Sequence, residues 1–285
     1  LKRSAECDTP SPQSAGHAVT SDGFAVNLGR SCLRALVRDG KAASLDAMTY
    51  GHAYPWQVAS RAAGIPLSAR LRLSFDAHQL RADVDRALAA HAAKENHPGY
   101  HSGGWAGIGL VTANGETQEI GAFAGEFKKT AAIAHTPYIE AMIDALPCEK
   151  QRVRIMELAP GADIFWHRDH ELDHGVVRVH VPVITNPGVL MQICHEDCRW
   201  QPGELWFGDF AFPHRLRNTS QETRIHLVMD LVENDFVRGL FEPSFERSRR
   251  VLREPTRRLC GTLYAAYNAP NRVRHLLRER VIARA

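Results

Sequence analysis

Apolar and polar positions alternate along this chain with two different periods, and the change from one to the other divides it. Over residues 69–75, Leu71, Leu73 and Phe75 alternate with Arg70, Arg72 and Ser74, the period of a strand with one wet face. Asp76 follows as a helix cap, and Leu80, Val84, Ala87 and Leu88 recur on one helical stripe. Gly103-Gly104 precedes a strand over 105–112, closed by a turn at Asn114-Gly115. Thr136 and Pro137 open a second helix carrying Ile139, Met142, Ile143 and Leu146, and Pro147 ends it. Both helices suit the flank of a sheet.

From residue 151 the texture changes to short strands separated by turn signals. Strands are predicted over 152–158, 164–169, 176–184, 189–194, 204–208 and 224–232. Pro160-Gly161, Asn186-Pro187-Gly188 and Pro202-Gly203 stand where such a meander must reverse. The spacing predicts an antiparallel sandwich or barrel. Beyond Pro243 the helical period returns, with Val273, Leu276, Leu277 and Val281 on one stripe, while residues 1–22 are Ser-, Pro- and Gly-rich and read as a mobile arm. The expected organisation is therefore the arm at 1–22, a helix-containing part at 23–150 packing on the core, a core at 151–242 and a basic helical extension at 243–285.

Composition narrows the classes. The 285 residues are 44% hydrophobic and 24% charged, ordinary for a globular chain, and no apolar run approaches the roughly 20 residues of a membrane span. The opening residues lack the apolar stretch of a secretory signal, and six scattered cysteines do not form a disulfide framework, so a cytoplasmic location is expected. The net charge of +3 hides an asymmetry: eleven Arg and three Glu over 243–285 give +8, leaving −5 elsewhere. Without a nucleic-acid-binding motif, that stretch reads as the solvated face of an amphipathic helix, and neither nucleic acid nor membrane is an expected partner.

Candidate chemistry concentrates in Phe165-Trp166-His167-Arg168-Asp169-His170. On a strand, residues two apart share a face, so His167 and Asp169 would bind one metal together. His214, 47 residues after His167, follows a predicted strand and is placed to return as a third ligand. Two imidazoles and one carboxylate leave three coordination positions open, the set used by non-haem Fe(II) oxygenases. Arg224, ten residues past His214, has the fork geometry to grip a dicarboxylate, although an ordinary ion pair would need the same residue. Cys194, His195 and Cys198, with His170 and His174 nearby, leave a zinc alternative open, but no second Cys pair completes four ligands.

In order and spacing these pieces resemble the aspartyl/asparaginyl β-hydroxylase-like iron- and 2-oxoglutarate-dependent dioxygenases. The resembling stretch runs from about residue 154 to 230: Met156-Glu157-Leu158-Ala159-Pro160-Gly161, His167-Arg168-Asp169, Arg178-Val179-His180-Val181-Pro182, Gly203-Glu204-Leu205-Trp206-Phe207-Gly208-Asp209, Pro213-His214, and Arg224-Ile225-His226-Leu227-Val228-Met229-Asp230. The resemblance implies a mainly β fold with flanking helices around a double-stranded β-helix, the cupin-like jelly-roll. By matched position it implies that His167, Asp169 and His214 ligate Fe(II) and that Arg224 takes the distal carboxylate of 2-oxoglutarate. His180 would lie near the cosubstrate's other carboxylate, and Arg178 would contact a substrate carboxylate.

For the last two, a structural ion pair and a hydrogen-bonded core histidine are the alternatives. Trp105 is carried as a candidate substrate contact, though packing would also explain it. Family members that act on protein domains lack the triad carboxylate, so Asp169 points toward a small-molecule substrate and toward hydroxylation rather than halogenation. They also place a serine where this chain has Met156. The expected activity is therefore hydroxylation of a free or small derivatised amino acid, with O2 as oxidant, succinate and CO2 as products and ascorbate as an in vitro reductant. A peptide or carrier-tethered substrate docked by the basic extension, or a non-catalytic cupin-like binding module, are the competing readings.

Overall fold

The structure, a computed structural model, describes residues 53–96, 101–122, 124–169, 172 and 175–282, with side chains described as far as residue 270. The expected arm at 1–22, the zinc candidates His170 and His174, and the side chains of the stripe at 273–281 lie outside the described residues.

Twelve described strands form two antiparallel sheets. The larger runs β1 (Ser68–Ser74), β10 (Glu204–Gly208), β7 (Val176–Ile184), β12 (Arg224–Val232), β5 (Lys150–Leu158), β3 (Trp105–Thr112) and β2 (Lys94–Glu95), with β4 (Lys128–Lys129) also paired to β3. The smaller runs β6 (Asp163–His167), β11 (His214–Asn218), β8 (Val189–Ile193) and β9 (Glu196–Cys198). From β5 onward the chain crosses repeatedly between them: β5, β7, β10 and β12 lie in the larger sheet, and β6, β8, β9 and β11 in the smaller. That alternation winds the chain into a double-stranded β-helix, the jelly-roll. Strands β1 to β4, all before residue 151, are hydrogen-bonded into the larger sheet.

Period-two alternation explains how one sheet serves two purposes. On one face, Val153, Ile155, Val179, Val181, Leu227 and Met229 are buried with Leu80, Val84, Ile139 and Ile143 of α2 (Ala77–Ala90) and α3 (Pro137–Ala145). On the other, the intervening positions of β5, β7 and β12 include Arg154, Met156, Arg178, His180, Arg224 and Val228, which line a cavity. Closing that interior, Leu158 clusters with Ile164, Met191, Ile193, Phe212 and Leu216.

The helix ends show local sequence at work. Asp76 accepts hydrogen bonds from the backbone N–H groups of His78 (2.9 Å) and Gln79 (3.1 Å), as the sequence predicts. Thr136 occupies the N-cap of α3 but makes no capping bond. Its hydroxyl donates back to the Ile133 carbonyl at 3.1 Å. The acceptor comes instead from the neighbouring helix: buried Asp83 of α2 takes the Ile139 N–H at 2.8 Å. After β12 come α4 (Asp235–Gly239) and the long α5 (Pro243–Ile282), which packs on α1 (Pro55–Ala63). No described helix is long and apolar enough to cross a membrane.

Candidate functional site

The two candidate histidines meet through strand register. His167 at the end of β6 pairs directly with His214 at the start of β11, and their ring centroids lie 4.0 Å apart. The sequence places Asp169 on the same strand as His167, but β6 ends at His167. Its partner strand begins at His214, so no ladder continues beyond that pair. Asp169 is instead fixed by its own N–H, which donates to the Phe210 carbonyl at 3.0 Å. One Asp169 oxygen then stands 3.9 Å from the Nε2 atoms of both histidines. Ligand atoms of all three residues fall within 4.8 Å of one another, and no other such group of His, Cys, Asp or Glu occurs among the described residues.

Hydrogen bonds select the tautomers. His167 Nδ1 lies 2.8 Å from the Phe165 carbonyl and His214 Nδ1 lies 3.0 Å from the Phe212 carbonyl. A carbonyl only accepts, so each Nδ1 carries a proton and Nε2 is the atom turned toward Asp169 and left to ligate. Burial and the neighbouring His167 ring push the His214 pKa down to about 3, keeping it neutral. Burial pushes the Asp169 carboxyl up, but Arg178 and the two imidazoles outweigh this and hold it below its ordinary value. This donor set fits a divalent transition metal: two imidazole nitrogens and one carboxylate gathered on one side.

Arg178 bridges the triad to a second carboxylate. Its guanidinium contacts Asp169 and also donates to both oxygens of Asp230 at 2.7 and 3.0 Å. Asp230 is in register with Arg178 on one neighbouring strand and with Arg152 on the other. Arg152 approaches it at 2.6 Å, and Arg154, one pleat along, at 3.6 Å. Burial would raise the Asp230 pKa, yet Arg178, Arg154 and Arg152 together drive it far down. The ion-pair alternative for Arg178 is thus realised in the fold, while Arg178 still lines the cavity. Sequence reasoning assigned no role to Arg152, Arg154 or Asp230. Their signal, charged residues at alternate strand positions, becomes decisive only when the register is known.

Arg224 is different. It is 2% exposed, and burial lowers its pKa to about 9. No carboxylate among the described residues pairs with it. Among the described residues it meets His226, whose Nδ1 accepts from the guanidinium at 2.7 Å. Arg224 Nε and the Nε2 atoms of His180 and His226 are buried without hydrogen-bond partners. His180 is pushed well below the ordinary histidine value by burial and by Arg224, Arg178 and Arg154.

The triad, Arg178, His180 and Arg224 surround a single cavity of about 110 Å³. Asn96, Trp105, Met156, Ile164, Met191, Phe210 and Leu216 complete much of its wall. The Trp105 ring centroid lies 6.3 Å from that of His167. Cys194 and Cys198 are free thiols, and His195 Nδ1 bonds Ser60 Oγ at 2.9 Å, so the zinc alternative is not assembled among the described residues.

A jelly-roll with two histidines and a carboxylate at its mouth defines a class of metal-site protein, and comparison with known proteins places the chain within it. Residues 74–234 match the aspartyl/asparaginyl beta-hydroxylase family, and the chain belongs to it. It is 29% identical over 114 residues to L-proline cis-4-hydroxylase of Rhizobium meliloti (strain 1021), covering 38% of this chain and 41% of that protein. It is 26% identical over 172 residues to L-proline cis-3-hydroxylase 2 of a Streptomyces species, covering 56% and 58%. The chain thus spans about half the length of these relatives.

Among solved structures it is similar to a 2OG-Fe(II) oxygenase family oxidoreductase of Burkholderia pseudomallei, at 15% identity and a TM-score of 0.42, covering 62% of this chain and 89% of that one. A Pseudomonas putida prolyl-4-hydroxylase gives 15% identity and a TM-score of 0.40, with 63% and 99% covered.

Proposed function

We propose that this protein is an Fe(II)/2-oxoglutarate-dependent dioxygenase that hydroxylates an unactivated C–H bond of a free or small derivatised amino acid. The observation that carries the reading is one cavity holding both a His-Asp-His set with its Nε2 atoms gathered around one Asp169 oxygen and a buried arginine without a carboxylate partner among the described residues. His167, Asp169 and His214 would hold the iron, and Arg224 would take the distal carboxylate of 2-oxoglutarate. With O2 and 2-oxoglutarate, bound ferrous iron supplies the oxidising power for C–H hydroxylation, releasing succinate and CO2.

The residues of the chain do the rest. The Phe165 and Phe212 carbonyls hold the imidazoles in the ligating tautomer. His226 holds one end of the Arg224 fork through a 2.7 Å bond. Arg154, Arg178 and His180 offer donors to further carboxylate oxygens, and Trp105, Ile164 and Leu216 wall the cavity against bulk water. The relatives named as proline hydroxylases support a compact amino or imino acid as substrate.

The test incubates pure protein with Fe(II), ascorbate, 2-oxoglutarate and an amino-acid panel, and measures succinate. Substrate-stimulated succinate formation that disappears in His167→Ala is expected. Anaerobic Co(II) titration should show binding in the wild type and its loss in the same variant. Co(II) binding unaffected by His167→Ala, or no cosubstrate decarboxylation across the panel, would overturn the assignment.

A further inference from the structure

The arginine-rich extension after Pro243 is absorbed neither by the metal set nor by the cavity. In the structure two of its arginines turn inward. Arg249 and Arg253, one helical turn apart on α5, both donate to Asp209, at 2.6 Å from Arg249 and at 2.7 and 3.1 Å from Arg253. Asp209 is 3% exposed, and although burial pushes its carboxyl up, the two guanidiniums outweigh this and hold it below its ordinary value. It opens the loop from β10 to β11: its N–H donates to the Leu67 carbonyl at 2.8 Å, and its carbonyl accepts from Phe212 N at 3.1 Å. That loop also supplies the Phe210 carbonyl that holds Asp169 and the Phe212 carbonyl that orients His214.

The same helix reaches the other half of the triad. Tyr264 Oη donates to the Trp166 carbonyl at 2.7 Å, immediately before His167. Arg168, between the two ligands His167 and Asp169, donates from Nε to the Ala211 carbonyl at 2.8 Å, which ties β6 to the β10–β11 loop. Its guanidinium lies against Gly261 of α5, so closely that a Cβ there would collide with it. Cys260, the preceding residue, is buried and contacts the Trp56 carbonyl at 3.5 Å.

We propose that α5 is a clamp that sets the distance between the two halves of the metal set, with Arg249, Arg253, Gly261 and Tyr264 as positioning residues for His167, Asp169 and His214. The proposal rests on the metal-binding reading above. Contacts from four positions spread over about four turns of one helix converge on residues 166, 168 and 209, each within one to five positions of a ligand. A helix whose charged face were merely solvated would not place two guanidiniums on one buried carboxylate. The clamp acts through the peptide segments that carry the ligands.

Gly261→Ala gives the decisive test because its two effects have opposite signs. Alanine is the better helix former, so the helix itself is favoured. The added methyl, however, displaces the Arg168 guanidinium at its far end, where a flexible side chain yields. Co(II) affinity of the full chain, followed anaerobically by its visible absorption, is expected to fall about ten- to a hundredfold, the range for residues that orient metal ligands. The melting temperature of the metal-free protein should hold or rise.

Arg249→Met with Arg253→Met should also weaken Co(II), and change the visible band shape as the coordination geometry relaxes. Co(II) affinity within twofold of wild type in Gly261→Ala would overturn the clamp, as would weakened binding matched by a lower melting temperature, which is general loosening. If the double Arg variant does not fold, Gly261→Ala alone decides. Failure of the metal reading itself is separately visible, as wild-type Co(II) binding that His167→Ala leaves unchanged.

Discussion

Replacing Arg224 by methionine separates two roles that one guanidinium combines. Without cosubstrate the cation is buried, burial alone lowers its pKa to about 9, and no carboxylate among the described residues neutralises it. A buried ion lacking a counterion costs several kcal/mol even after relaxation. Methionine removes that cost, keeps most of the length, and leaves His226 Nδ1 without its donor, a loss of about 1–3 kcal/mol. The balance favours the variant by roughly 1–3 kcal/mol, a rise of about 2–10 °C in melting temperature.

Ligand binding should move the other way. Each charge-assisted hydrogen bond to a carboxylate contributes about 1.5–3 kcal/mol, so if Arg224 takes the distal carboxylate as proposed, the variant should bind 2-oxoglutarate about a hundredfold or more weakly. Thermal melts with and without 2-oxoglutarate and Mn(II) read both effects in one experiment. Ligand at about 100 times Kd stabilises the wild type by about 2.7 kcal/mol and leaves Arg224→Met almost unmoved. A variant that melts well below the wild type without ligand would refute the reasoning, because the cation would then be compensated inside the protein. Equal stabilisation of both proteins would place the cosubstrate elsewhere.

Asp230→Ala should cost about 3–5 kcal/mol, since it leaves Arg152, Arg154 and Arg178 buried without their shared carboxylate; urea unfolding measures it, and a change under about 1 kcal/mol would contradict the network. Because the folded Asp230 pKa lies below its ordinary 3.8, its contribution is present above that value and is lost as pH falls through the folded pKa. The acid limb of the wild-type stability curve should accordingly be steeper than that of the variant. Asp83→Ala should lower stability by about 1–2 kcal/mol through the lost N-terminal cap of α3, measured the same way, with little effect on Co(II) affinity.

Several elements were plain in the sequence because their cause is local. The alternation over 176–184 and 224–232 maps onto β7 and β12 without a shift, and Asp76 caps α2 as its position suggests. The triad was found by residue order, and the structure brings its members together. What escaped depends on pairing between distant segments. β11 itself was not predicted, and it is β11 that sets His214 opposite His167.

Asp169 was placed on a strand that stops two residues earlier, because strand ends are fixed by the partner and not by the local pattern. Asp83 caps a helix 56 residues away, and Thr136, the local candidate, does not. Arg249 and Arg253 looked like any exposed pair at helical spacing, since Asp209 meets them only in three dimensions.

The charge inside the barrel has a practical corollary. Arg152, Arg154, Arg178 and Arg224 are buried together there, and Arg224 has no carboxylate partner among the described residues, so small acids in solution are expected to be drawn to it. Citrate, phosphate or sulfate in a purification buffer would compete for the same guanidinium groups. Protein handled in such salts would bind added 2-oxoglutarate poorly and look unusually heat-resistant at once, and exchange into a chloride buffer of low ionic strength would reverse both impressions.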